Sequence, residues 1–554
     1  MSGNQVEYET IQVGSAILVR SLLKKLGVVS AIDAALSAQP EIEATYGHLL
    51  QVIIVNRLTF DPQPLYRIGE WAQQHGIDQL FGIRPEWLDD DRLGAGLDAI
   101  AQHQVEIWIN ILKRAQKEYQ LVFDDLHSDT TSVYFEGDFE GAAAASSQER
   151  IPELRIGYNK DGQNHKKQMV LSLINVGRIP IWFRPWNGNK SDDGVGLSDL
   201  KELGRQVLLP GNSLLIGDRK LCQQETMIEC CWMNQYFLAS HPWTPTAKQM
   251  WCETFAALEA GKQSWQELSY LSINEARKAP DKRVQYRVYE VVSQLEDPER
   301  GANYTLRRLF IHSSKMAAAA AQLRQTALEK GESALKRIAR LLGKYQYRQR
   351  DFIEQRIREE LRRAKAANYF TYTLSGTDGE RDWRLQWERN EPAIAQAASF
   401  DGISLLCTNA PANALSSDDA WRKYKEQIGV EQAIDFIKSP VQIRPTWLHL
   451  PQRIAGLTLL VMIAVLIAML LEFEVRKLLK EHKKQIKGLR PEGRKTPAPT
   501  AKSLLRAFND YSLVVIKHID GTAEVHYPKL KSVPQQIWDL LKLPPLSAET
   551  PRTG

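Results

Sequence analysis

The stretch SDTTSVYFEG, residues 128–137, follows FDDLH and decides how the chain is read. Its β-branched and aromatic residues predict one strand with a carboxylate, Asp129, near its start. Such an aspartate is either an ordinary strand-entry residue or the first ligand of a metal site. The strand alone does not choose between them. Acidic residues elsewhere that can meet Asp129 must decide.

The neighbouring segments predict a sheet around it. KKQMVLSLINVGRIPIWFRPW holds two strand-like pieces separated by a turn at 175–180. NSLLIGD, 212–218, is a short apolar strand ending in Asp218, and YFLASHPW, from Tyr236, is another. LSDLKELGRQVL lies before NSLLIGD and QQETMIECCWMN after it, both helix-like. Strands first, then alternating helix and strand, predict a mixed α/β sheet over 121–240.

Residues 1–120 read as an all-α domain: SAILVRSLLKKLGVVSAIDAAL and HLLQVIIVNRLTF carry apolar residues at three-to-four spacing. DDDRLGAGLDAIAQHQVEIWINILKRAQ opens with acids, which suit a helix N-terminus. Residues 241–399 read as an insertion. VQYRVYEVVSQ and TLRRLFIHSS are strand-like, a long Ala-, Leu- and Arg-rich helical arm follows with Gly331 and Gly343 as breaks, and YFTYTLSG and DWRLQWER return to strand. FDGISLLCTNA resumes a core-type strand within 400–475, and 476–554 reads as a basic linker and a small terminal unit.

At 554 residues the chain exceeds one simple core, and several domains are expected. The net charge of +5 is mild, but 476–506 holds eleven Lys or Arg against two Glu. That run suits phosphate neutralisation or a solvated linker. Five cysteines, without a CxxC pair, argue against a disulfide framework or structural zinc and suit a reducing cytosol. The N-terminal MSGNQVEYETIQVG lacks a basic-then-apolar pattern, so secretion is not indicated. LTLLVMIAVLIAMLL, 457–471, is continuously apolar, yet fifteen residues at ~1.5 Å rise reach roughly 22 Å, short of the ~30 Å hydrocarbon core. A buried helix and no membrane association are expected.

WRKYKEQIGVEQAIDFIKSP is the most informative helix. At about 100° per residue from Tyr424, Gln427 falls near −60°, Glu431 near −20° and Lys438 near −40°. Val430, Ala433, Ile434, Phe436 and Ile437 cluster opposite. The polar stripe suits a functional groove, and equally a solvent-facing stripe on an amphipathic helix.

Y-x2-Q-x3-E-x6-K resembles the Y-x2-R-x3-E-x6-K signature of bacterial insertion-sequence transposases with a DDE active site. FDGISLLCTN resembles that family's strand before the catalytic helix, SDTTSVYFEG its first-aspartate strand, and LLIGDRKL its second. GYNKDGQNHKKQMVLSLI and IPIWFRPWNGNKSDD are similar to the segment between them. VNRLTFDPQPLYRIGEWA and LDDDRLGAGLDAI are similar to the N-terminal region of one subgroup. The likeness covers residues 25–475 in the family's order. Gln427 stands where the signature has arginine. An amide still hydrogen-bonds phosphate but brings no bidentate cation.

The resemblance implies an RNase H-like core interrupted by the insertion, which would contact DNA near the cut. Asp129, Asp218 and Glu431 would be catalytic and would ligate two Mg²⁺ ions, with Mn²⁺ as a substitute. Such ions lie ~3.5–4 Å apart and assist in-line displacement at phosphorus. Tyr424, Gln427 and Lys438 would hold DNA phosphates. The partners implied are the element's terminal inverted repeats and target DNA, the assembly a homodimer pairing two ends, and the location the bacterial cytoplasm, at the nucleoid. The N-terminal helices are expected to read end sequence, with Lys483, Lys484 and Lys487 adding nonspecific contacts.

Other residues compete. Asp124 and Asp125 are expected in the loop before the strand, and Asp192 and Asp193 in a turn. Asp435 reaches the groove side of the wheel near 20°, but only Glu431 fits the signature. His127 shares Asp129's strand face, and Trp243 or Trp251 could stack on a displaced base. The rival functions are a decayed or repurposed transposase that binds DNA without cutting it, a membrane-associated protein, and an RNase H-like nuclease without strand transfer.

Overall fold

The computed structural model describes residues 7–36, 44–135, 150–207, 209–438, 448, 450–489, 492–518 and 522–546. It is a mixed α/β protein of two compact units. One comprises Met1–Leu221 with Lys425–Gly554, the other Cys222–Tyr424.

The first unit opens on a strand, β1 (Glu7–Gln12), where the sequence predicts only helices. β1 pairs antiparallel with Ser512–Lys517, which pairs with Ala523–His526. The all-α expectation fails because β1's partner lies some 500 residues downstream, and no local pattern reports so distant a pairing. The helices of 1–120 follow: Ala16–Leu26, Val28–Ala35, Tyr46–Arg57, Asp90–Ile100 and Gln104–Tyr119 are the longer ones. Asp89 caps Asp90–Ile100, its carboxylate accepting from Arg92 N at 2.8 Å.

These helices surround Pro451–Glu481, the core of the unit. By length and composition it is able to cross a membrane, yet its apolar window is wholly buried inside the protein. Each such Leu, Ile or Val contributes about 1.5–3 kcal/mol by leaving water. Gly456 sits where the helix meets Asp90–Ile100: an added Cβ would lie 2.4 Å from Leu97 O. Near the helix's other end the buried Glu472 pairs with Arg178 and, at 2.9 Å, with Arg476; it also accepts from Ala501 N at 2.7 Å.

The unit's second sheet carries the expected strands in the order β4-β3-β2-β5: β2 (Asp125–Tyr134), β3 (Gln168–Val176), β4 (Ile179–Trp186) and β5 (Leu214–Gly217). β2–β3 and β3–β4 are antiparallel, and β2–β5 is parallel. β2 starts earlier than the pattern suggests, so Asp125 is in the strand and not in a loop. Its pairing with Leu214 carries the parallel ladder back to residue 125. Positions 136 and 137 of SDTTSVYFEG lie outside the described residues.

The second unit holds five antiparallel strands in the order Tyr236–Ser240, Ile403–Thr408, Ala302–Ser313, Tyr286–Asp297, Gln266–Leu268. The arm is Ser314–Leu341 and Arg350–Arg363. Gly343 marks the break; Gly331 does not, and lies within the first helix against Ala366 and Phe370. Pro245–Glu259, a helix without strong apolar periodicity, carries Trp251. That indole is fully buried among Phe310, Phe400 and Trp265 and donates to Ser399 O at 3.0 Å, so it is a packing residue and not a base-stacking one. Trp243 is partly buried against Phe310 and Phe400.

Candidate functional site

Asp129 lies on β2 and Asp218 follows the last residue of β5, the strand parallel to it. Adjacent parallel strands bring the two carboxylates into one small cavity of about 20 Å³, which Asp192 also lines. That volume admits about one water-sized sphere. Burial pushes the Asp129 carboxyl up; the nearby Lys160 ammonium and the Thr130 N–H pull it down, and Asp218 and Asp192 raise it again. Repulsion between neighbouring carboxylates is offset by a nearby cation.

A protein cation stands in part of that role. Lys160 Nζ lies 3.6 Å from Asp129 Oδ1 and 3.5 Å from Asp192 Oδ2. It donates to Thr130 O at 2.7 Å and Thr130 Oγ1 at 2.8 Å, and Thr130 Oγ1 donates to Asp192 Oδ1 at 2.8 Å. Lys220 closes the other side, its backbone N–H on Asp218 Oδ1 at 2.9 Å and its ammonium on Asp193 Oδ1 at 2.6 Å. Asp192 is therefore part of the site and not only of a turn. The sequence assigned Asp192 to a turn only and gave no role to Lys160 or Lys220, although Lys160 and Asp192 each lie where two charged residues adjoin a glycine.

Glu431 is placed differently. The expected single helix is two, Ser417–Lys425 and Ile428–Lys438, separated by a turn at 426–427. The second begins where Gly429 approaches the β3–β4 turn: an added Cβ would lie 2.4 Å from Gly177 O. One continuous wheel therefore does not apply across Tyr424, Gln427 and Glu431, and Tyr424 falls in the other compact unit from the last two. Within Ile428–Lys438 the predicted faces hold. Val430, Ala433, Ile434, Phe436 and Ile437 are buried, and Glu431 and Asp435 are exposed. The helix packs on β2, β3 and β4. Positions 439 and 440 lie outside the described residues.

Glu431 does not line the Asp129 cavity, and among the described residues no three of His, Cys, Asp and Glu stand close enough to share an ion. The Asp129–Asp218 pair nonetheless suits a hard cation, since Mg²⁺ is commonly held by one or two carboxylates with waters and substrate phosphate completing the shell. Lys438 pairs with Asp161 at 2.8 Å, the residue next to Lys160. Gln427 is partly buried, and Tyr424 stacks on Trp421 with ring centroids 6.2 Å apart. His127 is buried at 1% exposure. Lys483, Lys484 and Lys487 are exposed.

A family model described as a domain of unknown function, DUF4277, matches residues 8–112. No curated protein matches the sequence. Among solved structures, the piggyBac transposase in a synaptic complex with hairpin DNA aligns over 89% of this chain and 79% of its own, with 9% sequence identity and a TM-score of 0.37. At that distance the functional reading rests on this chain's own residues.

Proposed function

We propose that the protein is a DNA transposase that cuts the ends of an insertion sequence and joins them to target DNA. The observation that carries the reading is the convergence of Asp129 and Asp218, from adjacent parallel strands, on one small acidic cavity. The strand order β4-β3-β2-β5, with an antiparallel meander followed by a parallel strand, supports an RNase H-like core.

In this reading Asp129 and Asp218 would hold the divalent ion, and Glu431, on the helix packed against β2, would be the third carboxylate of the set. A bound Mg²⁺ would polarise the scissile phosphate and lower the pKa of the attacking oxygen. The chain's own contribution is positioning. Thr130 N–H fixes the Asp129 carboxylate at 2.7 Å, and Lys220 N–H fixes Asp218. Lys160 and Lys438 supply positive charge for phosphate oxygens, each now occupied by a carboxylate neighbour. Water attack would free a 3′-hydroxyl at the element end, and that hydroxyl would attack the target strand. Both ends need processing together, which favours a homodimer.

A second reading, a DNA-binding protein without chemistry, is favoured by one observation: Glu431 lies outside the Asp129 cavity. Cleavage of a plasmid carrying the gene's own flanking ends separates the two. Mg²⁺-dependent release of the element by wild type, lost with Asp129→Asn, Asp218→Asn and Glu431→Gln, is the result expected of the transposase. Binding of the ends by wild type without any cutting would establish the second reading. Full cutting by all three variants would overturn the site.

A further inference from the structure

A second cavity, of about 490 Å³, lies elsewhere in the first unit. Its wall includes Arg57, Phe60, Phe436, Lys502, Arg506 and Asn509, and among the lining residues three are cations and none is a carboxylate. The volume lies within the about 300–1,000 Å³ typical of ligand sites. Lys502 and Arg506 are both exposed and stand four apart along the chain, at the helix Ala501–Arg506. Like charges at that spacing repel unless an anion lies between them. Arg57 lies deep in the wall at 7% exposure and donates to Gln63 O at 3.2 Å. Phe60 is a large aromatic left 48% exposed.

Phe436 in the wall belongs to the helix Ile428–Lys438, on its buried face opposite Glu431.

We infer that this cavity takes one unpaired nucleotide of a DNA strand, its phosphate on Lys502 and Arg506 and its base against the Phe60 ring. Aromatic stacking with cationic backbone contacts is the chemistry by which single strands are held without sequence preference. The inference rests on the DNA reading proposed above, and its test is separable from the cleavage assay.

The experiment titrates the full chain with a single-stranded oligonucleotide carrying 2-aminopurine, following anisotropy and base fluorescence across a salt series. Wild type should bind and change the 2-aminopurine emission. Lys502→Ala with Arg506→Ala should weaken binding at least tenfold and flatten the log K against log salt slope by about 1.4, two contacts at ~0.7 each. Phe60→Ala should abolish the emission change, and Phe60→Tyr should restore it. Inorganic phosphate and a duplex of the same sequence serve as competitors. Displacement by millimolar phosphate alone would show a simple anion site and overturn the nucleotide assignment. Absence of single-strand binding, or an unchanged slope and emission in the variants, would also overturn it, while Mg²⁺-dependent cutting through Asp129 could still stand. Slope and emission changes in a chain that never cuts would keep the cavity and remove the enzyme.

Discussion

At the scale of single residues, Lys160 is the informative side chain. Its ammonium lies near 3.5 Å from two carboxylates, in competition with any divalent ion they would take. Two unit charges at about 4 Å interact by up to ~4 kcal/mol near a protein surface, and partial exposure here screens much of that. Lys160→Ala should therefore tighten Mn²⁺ binding by roughly tenfold, read by electron paramagnetic resonance. Asp129→Asn should weaken it; equal affinities in all three proteins would remove the ion from this site. Asp199 makes a separate prediction. Burial raises its carboxyl to about 7, against the pull of Ser172, Arg184 and Arg150. The folded state thus holds a proton that the unfolded chain releases near pH ~4. Stability from this group is full below pH ~4 and is lost as pH rises to about 7, by roughly 4 kcal/mol in total. Asp199→Asn should flatten that limb of a denaturant-midpoint against pH curve; an unchanged limb would assign it to other groups. Asp129 and Asp218 were placed on strands by the sequence because one lies near the start of a short strand pattern and the other closes one. Lys160 and Asp192 were not, because loop residues carry no periodicity and only the folded chain brings 160, 192 and 129 together.

At the scale of elements, the Ile428–Lys438 helix shows how a backbone contact sets a site. Gly429 lets it sit on the β3–β4 turn, where any side chain would meet Gly177 O. Gly429→Val should cost about 1–3 kcal/mol by overpacking and shift the helix from β2. End cleavage should fall more than end binding, because Glu431 rides on that helix. A variant that cuts normally would show the helix position to be immaterial. The helix–turn–helix break at 426–427 was invisible in a wheel that assumes uniform 100° steps. The buried and exposed faces after the break were legible, since they depend on spacing within one helix. Trp251 carries the opposite lesson. Its buried stack predicts that Trp251→Ala costs about 3–5 kcal/mol in chemical denaturation. A loss confined to DNA affinity would instead revive a recognition role.

At the scale of the whole molecule, one apolar helix organises the first unit. Leu460 is at 0% exposure near the centre of Pro451–Glu481. Leu460→Ala should lower stability by about 2–5 kcal/mol, measured by urea unfolding. No change in the midpoint would mean that the helix is not the core of that unit. The sequence by itself determined the strands bearing Asp129 and Asp218, the long arm, and the burial of 457–471. These follow from local periodicity and from a continuously apolar run with charges at its ends. Only the tertiary structure decided that β1 pairs with a strand near the other end of the chain, that Lys160 and Asp192 join Asp129, that Lys438 rests on Asp161, and that three cations face one cavity. Those are meetings between distant segments. Their energies come from charge, burial and backbone pairing that exist once the chain has folded, and no window of sequence contains both partners.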